Sequence, residues 1–352
     1  MRRLAYVDNL RVVLTVLVIL HHVALTYGNI PAWYHFEQAH DPSGWALDIL
    51  VMFDQAFFMG FFFLISGFFT PGSYDRKGGG AFMRDRLLRL GIPLIVFLLL
   101  LRPLAMVGVY QDFDMPYWMF YIGSWDPGPM WFVEVLLVFA AVYAAVRRYG
   151  RIPRSGPEQA PGAAAIVACT VALAVVTFAW RLVVPVGLYV PVLGLPTPSH
   201  LPQYAGMFTL GVLAHRRGWF ATLSRRAGRL GFAAAGLGTT VLLPLRFMSG
   251  GAVADLAQAA WEAVFAAGVV IGLLVLFRER FNAQRARGRF LSEQAYTVYI
   301  IHPVVLVGLA YAFSWLQAAA IVKFAVVSVL ALPLCWALAF LVRALPGARR
   351  IL

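Results

Sequence analysis

Apolar residues in this chain come in long unbroken runs, not in alternation with polar ones. The runs lie near 10–28, 46–69, 89–109, 129–147, 163–184, 201–215, 230–247, 259–277, 291–313 and 319–342. Most reach the roughly 17–25 residues that a helix needs to cross hydrocarbon; the sixth is short and opens beside Pro202. No period-two pattern marks a barrel, so the spans are expected to be helices. The polar positions between them alternate in sign. Arg2 and Arg3, then Arg76–Arg86, Arg147–Arg154, Arg216–Arg229, Arg278–Arg289 and the tail with Arg343, Arg349 and Arg350 are basic. The other connections carry Glu37, Asp41, Asp112, Asp114, Asp126 and Asp255 with few cations. Basic loops stay cytoplasmic, so the pattern predicts an all-α, polytopic integral membrane protein of about ten transmembrane helices with both termini cytoplasmic.

Composition agrees. Of 352 residues, 61% are hydrophobic and 13% charged, against about 25% charged in soluble domains. The net charge of +13 could suggest nucleic acid, but the alternation of loops accounts for it as a topology signal. Cys169 and Cys335 both fall in apolar runs, which implies neither a disulfide framework nor a metal site. The first run is long and lacks a clear small-residue cleavage site before Trp33, so it reads as a retained helix and not a signal peptide. The Pro/Gly-rich linker at 147–162 is too short to fold alone. One transmembrane domain over 5–343 and a cytoplasmic tail at 344–352 are expected.

The first span carries ionisable groups that hydrocarbon tolerates only beside a partner or a wet cavity. Arg11 and His22 are eleven residues apart, about three turns plus 20° of arc and about 16 Å of rise. Arg11, Thr15, Val18 and His22 therefore share one stripe, with Thr26 a turn beyond. Asp8 lies one turn before Arg11 and can pair with it. His21 points roughly 80° away from that stripe. Glu134, about five residues into the fourth span, needs a partner, for which Arg11, Arg102 and one of the histidines are candidates. Asp48 and Asp54 are expected near the outer surface, within reach of solvent.

Five stretches in order resemble the membrane acyltransferase 3 family, bacterial proteins that move acyl groups onto glycans and related acceptors. They are YVDNLRVVLTVLVILHH, with an Arg-x10-His spacing at Arg11 and His22; FFFLISGFFT (61–70); RDRLLRLGIP (84–93), with an Arg-x-x-Arg pair at Arg86 and Arg89; PMWFVEVLLVF (129–139); and SEQAYTVYIIHP (292–303). Together they cover about residues 5–340. The resemblance implies a membrane O-acyltransferase with no permanently bound cofactor and no metal. Acyl-CoA, in the first instance acetyl-CoA, would dock its phosphates on the same-face guanidiniums of Arg86 and Arg89. His22, with an ordinary pKa near 6.5, would be the general base, Arg11 and Glu134 would complete the catalytic set, and His302, Asp8 and Tyr299 would bind substrate. Glu134 would orient the His22 ring if the two pair. The implied partners are acyl-CoA, a glycan or lipid-linked acceptor and membrane lipids, with no nucleic acid, in the bacterial inner or plasma membrane. The rival is a transporter or channel with Arg11, His22, Glu134 and His302 as a proton or anion path; no internal repeat favours it.

Overall fold

The computed structural model describes residues 4–150, 158–191 and 193–352. Arg2, Arg3 and residues 151–157 of the Pro/Gly-rich linker lie outside the described residues. In chain order the principal helices are α1 (Ala5–Tyr27), α2 (Gly44–Lys77), α3 (Gly79–Tyr110), α4 (Tyr117–Gly123), α5 (Trp131–Tyr149), α6 (Ala163–Arg181), α7 (Leu201–Arg216), α8 (Arg225–Met248), α9 (Gly251–Arg280), α10 (Ala286–Ala312) and α11 (Ala320–Ala344). Among the described residues nine helices are long and apolar enough to cross a membrane, the short α4 counting with α5 as one of them. The remaining expected span is α7, at 16 residues. It is entered through a tight turn at Pro198–His200, with Pro202 in its first turn, where a missing N–H costs nothing. Every expected span is thus a helix. The helices overrun the apolar runs, since backbone bonding continues after hydropathy stops: α2 passes through Pro71 to Lys77 and α9 begins at Gly251.

The helix α1 is axial, packed against α2, α9, α10 and α11. Its most apolar window is 61% buried, as are those of α2 and α10, against 11% for α6 and 17% for α8. The peripheral helices accordingly turn Val171, Val175, Leu237 and Val241 outward, where lipid is their natural solvent. Without a hydrophobic drive between helices in lipid, close backbone approach does the packing. A side chain at Gly67 of α2 would collide with the Phe208 carbonyl of α7, and one at Gly211 of α7 with the Leu64 carbonyl of α2. Gly231 and Gly268 make the same reciprocal contact between α8 and α9.

The two ends of the bundle differ as the charge pattern predicts. At one end Asp75 binds Arg147 (2.9 Å) and Arg216 (2.7 Å), and Arg278 ties down the carbonyls of Phe220, Ala221 and Leu223. At the other, Asn29 binds Asp48, Glu37 pairs with Lys323 and Asp126 pairs with Arg102 at 3.2 Å. These are called the basic and the acidic end below.

Candidate active site

The α1 stripe runs between those ends. Arg11 lies at the basic end, its side chain 36% exposed and 3.6 Å from Asp8. The hydroxyls of Thr15 and Thr26 donate to the carbonyls of Arg11 and His22 within the helix, so neither is left unsatisfied in the bundle. The rings of His21 and His22 stand edge to face at 78° and look toward different helices. His21 stacks on Phe58 of α2 (4.9 Å) with Nδ1 3.9 Å from Asp54 Oδ2. Asp54 is only 4% exposed, so the expectation that it is solvated fails: α2 turns it inward to His21. Asp48 is likewise taken up by Asn29, at 2.8 Å to both its N–H and its Nδ2.

His22 looks toward α10, where one proline decides the geometry. Pro303 has no N–H, so the carbonyl of Tyr299, four residues earlier, loses its helical donor. His302 Nδ1 lies 2.7 Å from that carbonyl and must be the donor, because a carbonyl only accepts. His302 Nε2 therefore carries a lone pair. It faces His22 Nδ1 at 3.3 Å, and the same Nδ1 is 2.8 Å from the Val18 carbonyl. Flanked by two acceptors, His22 Nδ1 bears the proton. The network thereby assigns the tautomer, and His22 Nε2 is left as a bare lone pair with no hydrogen bond among the described residues.

The connection between α1 and α2 covers this pair. Trp33 lies 4.0 Å from the His22 ring, tilted by 34°, and stacks at 5.9 Å on that of His302, with Tyr34 beside it at 5.0 Å. The loop is strapped down on both sides. Glu37 N–H and Ala39 N–H donate to the carbonyls of Thr26 and Gly28. Asp41 accepts the Ala320 N–H (2.8 Å) and the Ser43 hydroxyl accepts that of Ile321 (3.0 Å), capping α11. Trp33 Nε1 and Tyr34 Oη are buried with no hydrogen-bond partner among the described residues.

A family model described as an acyltransferase domain matches residues 4–340. The chain belongs to the membrane acyltransferase 3 family. It is an acyltransferase and a multi-pass membrane protein. No curated protein and no solved structure matches it.

In this acyltransferase the Arg86–Arg89 pair departs from its expected geometry. Two wide turns interrupt α3 at Leu87–Gly91 and Phe97–Leu101, with Ile92 N–H reaching Leu87 and Arg102 N–H reaching Phe97, five residues back. Each precedes a proline, Pro93 or Pro103, and the carbonyls set free take tyrosine hydroxyls: Tyr296 donates to Arg89 (2.9 Å) and Tyr121 to Leu98. Such turns inside helices recur at functional sites. A wider turn means three residues sweep less arc, so Arg86 and Arg89 do not stack on one face. Arg86 lies over the Phe82 ring (5.2 Å) with Nε buried and unpaired. Arg89 is 58% exposed and bound to Asp85 at 3.2 Å, which also holds Lys77.

Of the other expected residues, Tyr299 is adjacent, its hydroxyl donating to the Pro129 carbonyl just before α5. Glu134 pairs with none of the three candidate partners. It makes no hydrogen bond or ion pair among the described residues, and it lies in electrostatic range of Asp126 and Tyr299; Arg102 is taken by Asp126 instead. Asp8 is at the basic end with Arg11, about 20 Å of helix away from His22. Sequence reasoning missed Trp33 and Tyr34, whose place depends on the long-range straps. It also missed a second polar cluster, Arg181, Ser199, His200 and Glu262. A lone Arg in one apolar run and a lone Glu in another were the signal available for it.

Proposed function

We propose that the protein is an O-acyltransferase that takes an acyl group, acetyl first, from cytoplasmic acyl-CoA and places it on a hydroxyl of a cell-envelope glycan or lipid-linked acceptor, with His22 as general base. The observation that carries the reading is the bare Nε2 of His22, left free because its Nδ1 proton is committed to Val18 and His302. The acceptor O–H gives its proton to Nε2 as its oxygen attacks the thioester carbonyl carbon. The C–S bond then breaks and the CoA sulfur takes that proton back, leaving ester and free CoA. The charge on the transient imidazolium is shared with the lone pair of His302 Nε2 and the Val18 carbonyl, the service a carboxylate gives behind a catalytic histidine.

Depth supports transfer between the two ends. His22 is five residues from Tyr27, about 8 Å from the acidic end of α1, and about 16 Å from Arg11. An extended pantetheine arm entering from Arg86 and Arg89 at the basic end would bring the thioester along the stripe, while the acceptor would approach from the acidic end. Basic loops inside would set this orientation in a bacterial inner or plasma membrane.

The test is CoA release and acyl transfer by purified variants in liposomes. Removal of a general base costs about 10²–10⁴-fold, so His22→Ala is expected to lose that much rate and keep its fold, whereas His21→Ala, which faces Asp54 and Phe58, keeps most of its activity. A wild-type rate in His22→Ala overturns the assignment. Wild-type protein that moves protons or a solute and never releases CoA is a transporter.

A further inference from the structure

Beside Trp33, on the acidic-end side of the histidine pair, lies a set of polar atoms that the reaction above does not use. Arg102 of α3 is fully buried, and its guanidinium is engaged by the Ser124 carbonyl, Asp126 Oδ2 and the Tyr121 hydroxyl. Among the described residues its Nε and Nη1 meet the geometry of no hydrogen bond, nor do the buried Tyr34 Oη and Ser124 Oγ. Buried donors are seldom left without a partner, and these four lie in one neighbourhood, where a polar molecule would find them grouped. These groups are contiguous: the Tyr34 hydroxyl rests against Gly128, whose N–H donates to Asp126 Oδ1 (2.5 Å), while Arg102 lies 4.8 Å over the Tyr121 ring. Gly128 holds φ at +49°, and a side chain there would strike the Tyr34 hydroxyl, so the close approach requires glycine. Tyr34 links the set to the base, since its neighbour Trp33 is the residue lying against His22.

Charge defines what fits. Arg102 is already neutralised by Asp126, so the set presents oriented donors and a carboxylate with no net charge. Burial pushes the Tyr34 hydroxyl up from its ordinary value, and Tyr189 at the rim is pushed up to about 12 by burial and by the Asp126 carboxylate; both stay neutral donors. A phosphate or carboxylate would have to compete with Asp126 for Arg102 and would meet its repulsion. A ring with several neutral hydroxyls can accept from Arg102 and Tyr34 and donate to Asp126 while its C–H face lies on Trp33 or Tyr121.

We infer that Tyr34, Arg102, Ser124 and Asp126 form the acceptor subsite of this acyltransferase and select a neutral polyhydroxyl ring over an anionic one. The inference rests on the proposed O-acyl transfer for its purpose, and binding without turnover tests it separately. The probes are methyl glucopyranoside and its uronic acid counterpart, which differ only in a carboxylate, followed by saturation-transfer NMR on protein in lipid nanodiscs free of sugar-headed detergent. Wild-type protein binds the neutral glycoside saturably and the uronide more weakly. Tyr34→Phe removes one hydroxyl that has no hydrogen bond among the described residues, and it should weaken glycoside binding roughly two- to ten-fold, the worth of one neutral hydrogen bond, with an unchanged KM for acetyl-CoA. Asp126→Asn leaves Arg102 unneutralised and should shift the preference toward the uronide by about ten-fold, the scale of a charge-assisted hydrogen bond. Equal glycoside binding by Tyr34→Phe and wild type, a wild-type preference for the uronide, or no saturable glycoside binding overturns the subsite. Absence of CoA release with these binding differences intact would instead count against the transfer reaction alone.

Discussion

His200 and His22 both sit among polar partners in the acidic half of the bundle, and they are built in opposite ways. Around His200 the polar side chains close on an ion pair, with Arg181 Nη1 alone among them lacking a hydrogen bond to the described residues. Ser199 Oγ is 3.2 Å from Nδ1, while Arg181 Nη2 and Glu262 Oε2 stand 3.3 and 3.5 Å from Nε2. Arg181 and Glu262 pair at 2.5 Å, and Gln258 donates to the other Glu262 oxygen at 2.6 Å. The Arg181 and Glu262 charges offset each other, all four principal side chains are buried, and the cluster joins α6, the turn before α7 and α9. Around His22 no ion pair forms. The ring is partly exposed, its one proton is committed, and its second nitrogen has no hydrogen bond among the described residues. A cluster built around an ion pair holds helices together; a ring nitrogen left without a bond has capacity for a substrate. The seeming Ser-His-Glu arrangement at Ser199 is therefore a structural clasp, its Glu262 committed to Arg181 and Gln258.

If the contrast is right, the largest effect of any substitution falls on the clasp. Glu262→Ala strands the Arg181 charge in the bundle, and breaking a buried pair this way costs about 3–5 kcal/mol. The expected result is a large drop in the thermal unfolding midpoint in nanodiscs, with turnover per folded molecule within a few-fold of wild type. An unchanged midpoint with lost turnover would make the clasp part of the chemistry and erase the distinction.

A smaller effect is expected at Pro303, which sharpens the open side. Pro303→Ala restores a backbone N–H that competes with His302 Nδ1 for the Tyr299 carbonyl. Losing one neutral hydrogen bond is worth about 0.5–1.5 kcal/mol, so kcat should fall roughly two- to ten-fold while KM for both substrates holds and folding is intact or improved. A kcat equal to wild type would show that the tautomer does not depend on Pro303.

The smallest effect concerns the strap that keeps Trp33 on His22. The Ser43 hydroxyl, with the Ala320 and Ser43 N–H groups, holds the Asp41 carboxyl below the usual carboxylate range. A depressed carboxylate stabilises the fold above its unfolded pKa, near 3.9, and that contribution is lost as pH falls through the folded value. Stability measured downward from pH 7 should thus contain an acid loss, beginning below about pH 4, that Asp41→Asn no longer shows. An identical acid profile in the variant would remove Asp41 from the strap.

Much of the fold was legible because hydropathy and loop charge are one-dimensional signals. The Pro202-bounded sixth run was readable even though α7 is short, while α4, broken off by Pro116 and Ser124, was not. At the candidate site the Arg-x10-His spacing put His22 on the stripe, and helical arc alone separated it from His21. The link of Pro303 to the Tyr299 carbonyl follows from a local rule and could have been read in Tyr-Ile-Ile-His-Pro. Helical arc misled at Arg86 and Arg89, because it assumes 3.6 residues per turn and the turn there is wider. Nor could sequence show that Trp33 folds back, since its place is set by Asp41 and Glu37 meeting Ala320 and Lys323 across 279 and 286 residues. The Arg181–Glu262 pair, 81 residues apart, was hidden for the same reason.

The proposed chemistry turns on one nitrogen, and that nitrogen can be observed. In ¹⁵N NMR spectra of histidine-labelled protein in nanodiscs at neutral pH, with His22→Gln used to assign the signal, His22 should appear as a neutral ring with its proton on Nδ1 and none on Nε2. A His22 signal with the proton on Nε2, the tautomer that leaves no lone pair for an acceptor hydroxyl, would contradict the account at its centre.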